Sequence, residues 1–244
     1  MRPLIYTPSG PAGEYSKYAA NLFHGCDHGC KYCYVPAQKK TSPEIFHSSV
    51  VPQPNVLARL ANDCKKKYDQ PIFLCFSCDP YPMNHEVHGI TREAIRIIVD
   101  SGNAVNILTK GGYRAIQDFY LLARDPRNSI GATLTFVDDE LSDKWEPNAE
   151  LFDSRLHMLS AAKDMGISTW ASMEPVCNPD ETLQAIRLAA PYVDMFKVGR
   201  WNHSPDANKI DWKSFYEDAL TLLNHIGAKY MFKDDLLKAV EKKP

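Results

Sequence analysis

Cys26, Cys30 and Cys33 fall within eight residues, Cys26-Asp-His-Gly-Cys30-Lys-Tyr-Cys33, with Tyr34 immediately after them. Three thiolates at C-x3-C-x2-C spacing on one tight loop can grip three irons of a [4Fe–4S] cluster and leave the fourth iron without a protein ligand. An open coordination position lets a small molecule bind the metal and react, so the spacing points to chemistry rather than to a structural staple. Gly25 and Gly29 allow the loop to wrap tightly. The competing reading is a structural zinc site completed by His24 or His28. Three thiolates with no evident fourth partner fit an iron–sulfur cluster better. Merely buried thiols are a poor account of three cysteines in eight glycine-containing residues.

The elements that must position this loop follow a regular rhythm. Pro71 to Ser77 reads as a buried strand, Thr91 to Ser101 as a helix capped by Thr91 and stopped at Gly102, and Ala104 to Thr109 as the next strand. Residues 112–124 read as a helix, Ile130 to Phe136 as a strand, 150–165 as a helix ending at Gly166, and Ser168 to Met173 as a strand. Asn178 as cap, Pro179 at the first position and Glu181 at the capping-box position start another helix, which Pro191 ends. A strand at 192–198, a helix at 211–226, a short strand at 228–232 and a terminal helix complete the pattern. With a first strand near Ala19–Phe23 there are at least six βα units, which require parallel strands with outer helices.

The expectation is therefore α/β: a partial (β/α)6 TIM-like barrel, open because six or seven units fall short of the eight of a closed one. In such folds the site lies at the C-terminal ends of the strands, where the cysteine loop falls. A single domain over 1–244 is expected, with 1–18 as an N-terminal extension, 19–199 as the core, the cluster loop at 24–34 and 200–244 as a C-terminal substrate-side segment. Residues 34–54 look irregular. His85-Glu-Val-His88 lacks the i, i+4 histidine spacing of a zinc metalloprotease helix and reads as loop.

The charge balance, 28 Lys and Arg against 30 Asp and Glu, gives −2 and argues against tight nonspecific nucleic-acid binding. No run reaches the roughly 18 apolar residues of a transmembrane helix, and the N-terminus lacks a secretory pattern. Seven unevenly spread cysteines read as reduced thiols or metal ligands. A cytoplasmic setting without a membrane partner is expected.

The stretch Asn21-Leu-Phe-His-Gly-Cys-Asp-His-Gly-Cys-Lys-Tyr-Cys-Tyr34 resembles the cluster loop of the radical S-adenosylmethionine (SAM) superfamily. It is most similar to the branch holding spore photoproduct lyase and the proteins often labelled DNA repair photolyases. Phe76-Ser-Cys-Asp-Pro-Tyr-Pro82 resembles that branch's strand-two ending, commonly Thr-Asp-Pro-Tyr. Ile107-Leu-Thr-Lys110 resembles its strand-three ending and Gly131-Ala-Thr-Leu-Thr135 its strand-four segment. The resemblance implies a [4Fe–4S] cluster on Cys26, Cys30 and Cys33, with SAM chelating the open iron. Reduction would then cleave SAM to methionine and a 5′-deoxyadenosyl radical that abstracts hydrogen from a substrate. It implies an external electron donor of the flavodoxin or ferredoxin kind, and brings nucleic-acid lesion repair or modification into view. The lyase, oxidoreductase or transferase class and the oligomeric state stay open.

SAM's own groups dictate the rest of the pocket. Its ammonium wants an acceptor, for which Asp79 and Ser77 stand where the superfamily carries a Gly-Gly-Glu-like segment. Its carboxylate wants a cation, Lys110, and its ribose a short polar group, Thr135. The aromatic Tyr32 suits the adenine, and Glu174 can meet the ribose or the substrate. The ordinary alternatives for these residues are caps, solvated groups and core aromatics. In spore photoproduct lyase a cysteine gives hydrogen to the product radical, and Cys78, beside Asp79, is the candidate here. Strand alternation puts Cys75 on the opposite face. Arg200, Trp201, Asn202 and His203 follow strand six, where they can bind a phosphate, stack on a base, or anchor the C-terminal strand near Lys233. The runner-up function is a noncatalytic zinc or electron-transfer module.

Overall fold

Short runs of branched and aromatic residues alternate with amphipathic segments, and the computed structural model, describing residues 2–241, turns them into strands and helices respectively. The chain begins with β1 (Ile5–Tyr6), β2 (Tyr18–Ala20) and β3 (Phe23–His24), then α1 (Val35–Lys39), α2 (Pro43–His47), β4 (Val51–Pro52) and α3 (Val56–Asp63). It continues through β5 (Ile72–Leu74), α4 (His88–Asp100), β6 (Val105–Thr109), α5 (Phe119–Leu122) and β7 (Ser129–Thr133). Next come α6 (Asp139–Trp145), α7 (Phe152–Asp164), β8 (Ser168–Val176), α8 (Pro179–Ala189) and β9 (Met195–Arg200). Last are α9 (Trp212–His225), β10 (Tyr230–Phe232) and α10 (Asp234–Glu241).

The main sheet runs β1-β2-β5-β6-β7-β8-β9-β10. β1 is antiparallel to β2, and every pairing from β2 to β10 is parallel. This is the expected open α/β barrel with outer helices, and its parallel strands are seven. The β3–β4 ribbon stands apart and braces the cysteine loop.

Residues 5–15 pack on the barrel. They supply the edge strand β1 and send Tyr15 into the barrel, where it meets Phe73, Phe76 and Trp170 at ring separations of 6.2, 6.2 and 5.8 Å. The Asp234 N–H donates to Glu14 at 2.9 Å, so this segment ties the first edge of the sheet to the last helix. Below the site the interior is packed by Ala19, Phe73 and Trp170, with Leu108 and Met195 against them.

Several local expectations need correction. α4 starts three residues before Thr91, whose buried hydroxyl donates instead to the Pro80 carbonyl at 2.6 Å. His85–Val87 forms a 3-10 turn leading into that helix rather than loop. Residues 112–118 are 3-10, with only 119–122 α-helical. Asn178 does cap α8, but Glu181 accepts from the Val137 and Asp138 N–H groups at 2.6 and 2.9 Å instead of closing a capping box. The supposedly irregular 34–54 region holds α1, α2 and β4, and the two helices carry Pro36 and Pro43 within their first two positions, where a missing N–H costs nothing.

Candidate active site

The cysteine loop is fastened by its backbone, which leaves its thiols facing inward. Gly25 and Gly29 take φ of +77° and +67°, and a Cβ at Gly25 would lie 2.0 Å from the Ser49 carbonyl oxygen. The Cys26 N–H donates to Phe46 at 3.3 Å, the Lys31 N–H to Trp145 at 2.9 Å and the Cys33 N–H to Cys30 at 3.0 Å. Burial pushes all three thiols up, Cys30 to about 12, while the backbone N–H groups of His28 and Val35 act the other way on Cys26 and Cys33. Amide donors aimed at sulfur, and two glycines without which the loop cannot close, suit thiolates bound to an iron–sulfur cluster. The three cysteines are therefore fit to hold one.

They line one cavity of about 870 Å³ at the C-terminal ends of the strands. Every cysteine, SAM and substrate candidate named from the sequence borders it except Thr135; of the two zinc candidates, His28 borders it and His24 does not. β7 ends at Thr133, and Thr135 lies beyond it, 1 % exposed, donating to Glu146 at 3.1 Å. Thr133 takes the place on the cavity wall.

Asp79 borders the cavity but is already engaged. Its oxygens accept from the Thr109 hydroxyl at 2.6 Å and from the Lys110 and Tyr81 N–H groups at 2.8 Å each. Burial alone would raise its carboxyl, but His28 beside it and these donors outweigh that and hold it below its ordinary range. His28 is in turn pulled down to about 4, chiefly by burial, and its Nε2 faces the Arg114 guanidinium at 3.2 Å. Asp79 thus pins the ends of two strands together. The Ser77 side chain remains toward the cavity, while its N–H and that of Phe76 are taken by Asn21 at 2.9 and 2.8 Å. The Lys110 ammonium lies 5.6 Å from the Tyr32 ring centre.

Cys75 and Cys78 both border the cavity, contrary to the alternation argument. β5 stops at Leu74, so the period of two does not extend to Cys78. The Cys75 sulfur accepts from the Leu22 N–H at 3.4 Å, and Cys78 adjoins it. These two form a second C-x2-C pair, the feature a zinc reading would want. Among the described residues, however, no three His, Cys, Asp or Glu side chains converge as a single ion requires. The zinc alternative is not favoured.

On the opposite wall, Glu174 accepts from Tyr15 at 2.7 Å and from Lys233 at 2.6 Å, and Asn202 at 3.4 Å reaches its other oxygen. Ser172 completes the set at 2.9 Å from the Tyr15 hydroxyl. Burial and the neighbouring Glu174 push the Tyr15 hydroxyl well up, so it stays a donor. Trp201 packs edge-on against Trp145 at 5.5 Å, and Asn202 also bonds Asp235. Arg200 stacks 5.3 Å from the Trp212 ring, and its Nε has no partner among the described residues. His203, at φ +60°, faces Tyr34 at 5.8 Å. Tyr15, Asn21 and Ser172 were not singled out from the sequence. The proline and glycine ahead of Tyr15 mark a turn, but nothing local says that the turn plugs a barrel.

The model of the radical SAM superfamily matches residues 20–190, from β2 through the end of α8. An uncharacterised protein of Mycobacterium tuberculosis (strain H37Rv) is 25 % identical over 169 residues, 66 % of this chain and 49 % of the relative. The chain thus spans about half the length of the mycobacterial relatives it matches. An uncharacterised protein of Methanocaldococcus jannaschii is 22 % identical over 232 residues, 93 % of this chain and 87 % of that one. Spore photoproduct lyase complexed with dinucleoside spore photoproduct superposes at TM-score 0.71 with 13 % identity, over 93 % of this chain and 80 % of that one. Streptococcus suis SuiB bound to the precursor peptide SuiA gives 0.66 with 11 % identity, over 91 % and 49 %. At these identities the structural likeness is one of fold, while the family match covers the cysteine loop and every strand from β3 through β8. The chain belongs to the radical SAM superfamily, enzymes whose cofactors are a [4Fe–4S] cluster and S-adenosylmethionine, and it carries the spore photoproduct lyase-like fold.

Proposed function

We propose that this protein holds a [4Fe–4S] cluster on Cys26, Cys30 and Cys33, binds SAM in the adjoining cavity and abstracts hydrogen from a substrate held against the far wall. The observation that carries this reading is that all three thiols border the one cavity into which strands β5 to β9 deliver polar side chains. When bound, cluster and SAM together supply reductive cleavage of SAM and a radical able to take hydrogen from carbon.

The chain's own residues bind, orient and shield. The Lys110 ammonium takes the SAM carboxylate and the Ser77 hydroxyl its ammonium, while Asp79 sets both by tying the backbone at Tyr81 and Lys110. Tyr32 borders the adenine. Thr135 acts from behind, through Glu146, and the ribose meets Thr133 on the wall itself. Glu174, Asn202, Arg200, Trp201 and His203 face the substrate. Tyr15 and the loop after β9 exclude water, which protects a reactive intermediate. Cys78 gives a hydrogen atom to the product radical: its S–H bond breaks, a C–H bond forms, and the sulfur radical is restored to the thiol by an electron from an external one-electron donor and a proton from solvent.

For the substrate the reading is a nucleic-acid lesion. Support comes from the spore photoproduct lyase-like fold, and from Arg200, whose unpaired Nε suits a phosphate, beside the Tyr34–His203 ring pair. Anaerobically reconstituted protein should be brown and, with reductant, convert SAM to 5′-deoxyadenosine. Cys30→Ala should lose both properties. Stoichiometric zinc without SAM cleavage would sink the reading. Cys78→Ala should keep SAM cleavage and change the products; unchanged products remove it from the mechanism. A dinucleotide lesion that neither binds nor turns over would dismiss the nucleic-acid substrate alone.

A further inference from the structure

Glu146, which follows α6, enters that scheme only as the partner of Thr135, yet it is among the most buried charges of the described residues at 1 % exposed. Arg155, also 1 % exposed, forms an ion pair with its Oε2. The Oε1 atom accepts from the Thr135 hydroxyl at 3.1 Å and from the Tyr32 hydroxyl. Burial pushes the Glu146 carboxyl up, and Arg155 draws it back. The adjacent backbone reaches the same loop. The Trp145 carbonyl accepts from Lys31 at 2.9 Å, the Asn148 N–H donates to His28 at 3.1 Å, and the Asn148 amide donates to Asp27 at 2.8 Å.

Residues 145–148 therefore hold the cysteine loop at four points. Three of them hold backbone, and only Glu146 holds a loop side chain. That side chain is the ring between Cys30 and Cys33, with the Lys110 ammonium 5.6 Å from its centre. A ring tied by its hydroxyl and faced by a cation is fixed before any ligand arrives. Ordering such a side chain during binding would otherwise cost affinity. An ion pair serving stability alone needs no tyrosine, since a buried apolar pair of similar volume does as well or better.

We propose that Glu146 is a positioning residue for SAM: through the Tyr32 hydroxyl it fixes the ring that borders the adenine. The inference rests on the SAM-binding reading above and adds a residue outside the cavity to it.

Tyr32→Phe removes one hydroxyl and leaves the Glu146–Arg155 pair intact. Reconstituted Tyr32→Phe should keep its iron and sulfide content. Its affinity for S-adenosylhomocysteine, read by calorimetry without turnover, should fall about tenfold, with KM for SAM rising in step and kcat moving less. Glu146→Leu should show the same affinity loss together with a lower Tm. Adding Arg155→Met should restore much of the Tm, because the stranded charge is gone, but none of the affinity. Affinity that returns with Tm in the double variant, or stays unchanged in Tyr32→Phe, overturns the proposal and leaves Glu146 a structural group. If the parent protein neither assembles a cluster nor binds the nucleoside, the underlying reading fails and the proposal with it.

Discussion

The two walls of the cavity are built by opposite means. The cysteine wall is held by its backbone: carbonyls of Phe46 and Trp145 and amides of Asn148 fasten residues 26–31 from outside. Its cysteine side chains face the cavity with few internal obligations. The far wall is held by its side chains, because Glu174, Lys233, Tyr15, Ser172 and Asn202 bond one another. The difference teaches which wall is preformed for a ligand and which must exchange partners to receive one. The three thiols border the cavity without such ties to one another. Any ligand that reached Glu174 would have to compete with Lys233, whose side chain is 2 % exposed.

The largest effect should come from the backbone-held wall. Gly25→Ala puts a methyl group 2.0 Å from a carbonyl oxygen at φ +77°, so the loop cannot close. Iron bound after anaerobic reconstitution should fall to near zero; normal iron content would show that the glycine is dispensable and the loop less rigid than described. Next is the side-chain wall. Lys233→Met leaves the Glu174 carboxylate to Tyr15 and Asn202 alone and should cost about 1.5–3 kcal/mol in urea unfolding. Lys233→Met with Glu174→Gln should regain much of that, and an additive loss would show that the two are not a unit. Asp79→Asn lies between the walls and should cost about 1–3 kcal/mol, as a buried charge-assisted acceptor is weakened. Tm would register it while the cysteines still bind iron.

The smallest effect belongs to Lys197 in β9, which lies 4.8 Å from the Trp170 ring and 5.0 Å from that of Tyr15. Burial, then the charge of Lys233, pulls its amine down to about 8 from 10.5. Between those values the unfolded chain holds a proton the folded one has released, so stability from this group rises with pH across the window. Below it the cost of keeping a buried cation is complete. Lys197→Met should raise Tm at pH 7, and its advantage should shrink as pH climbs from 8 to 10.5. A constant difference would mean that Lys197 is solvated.

Much of the barrel was legible because its signals are local. Gly102, Gly166 and Gly227 mark helix ends and take φ of +72°, +72° and +65°. The β6 and β8 runs read as strands from composition. Thr91 misled because its hydroxyl bonds Pro80, eleven residues back, a partner that no capping rule includes. Glu181 misled for the same reason, finding donors 43 and 44 residues away. Cys75 and Cys78 were assigned to opposite faces by a period that ceases to apply once β5 ends.

The site divides along the same line. Cys26, Cys30 and Cys33 are close in sequence, and their spacing with the surrounding glycines carries the resemblance to the superfamily's cluster loop. Asp79, Lys110, Glu174 and Arg200 border one cavity because strand endings in a parallel barrel must converge. The sequence by itself therefore determined the cofactor loop, the α/β architecture and the end of the barrel that carries chemistry, all of which follow from short-range spacing and periodicity. Only the tertiary structure decided which polar groups are open to a ligand. Asp79 is engaged by its neighbours, Thr135 is withdrawn behind the wall, Tyr15 is brought 159 positions to Glu174, and Glu146 is brought 114 positions to Tyr32. A buried polar group takes whichever partner the fold places within about 3 Å, and that choice is made by packing between distant segments.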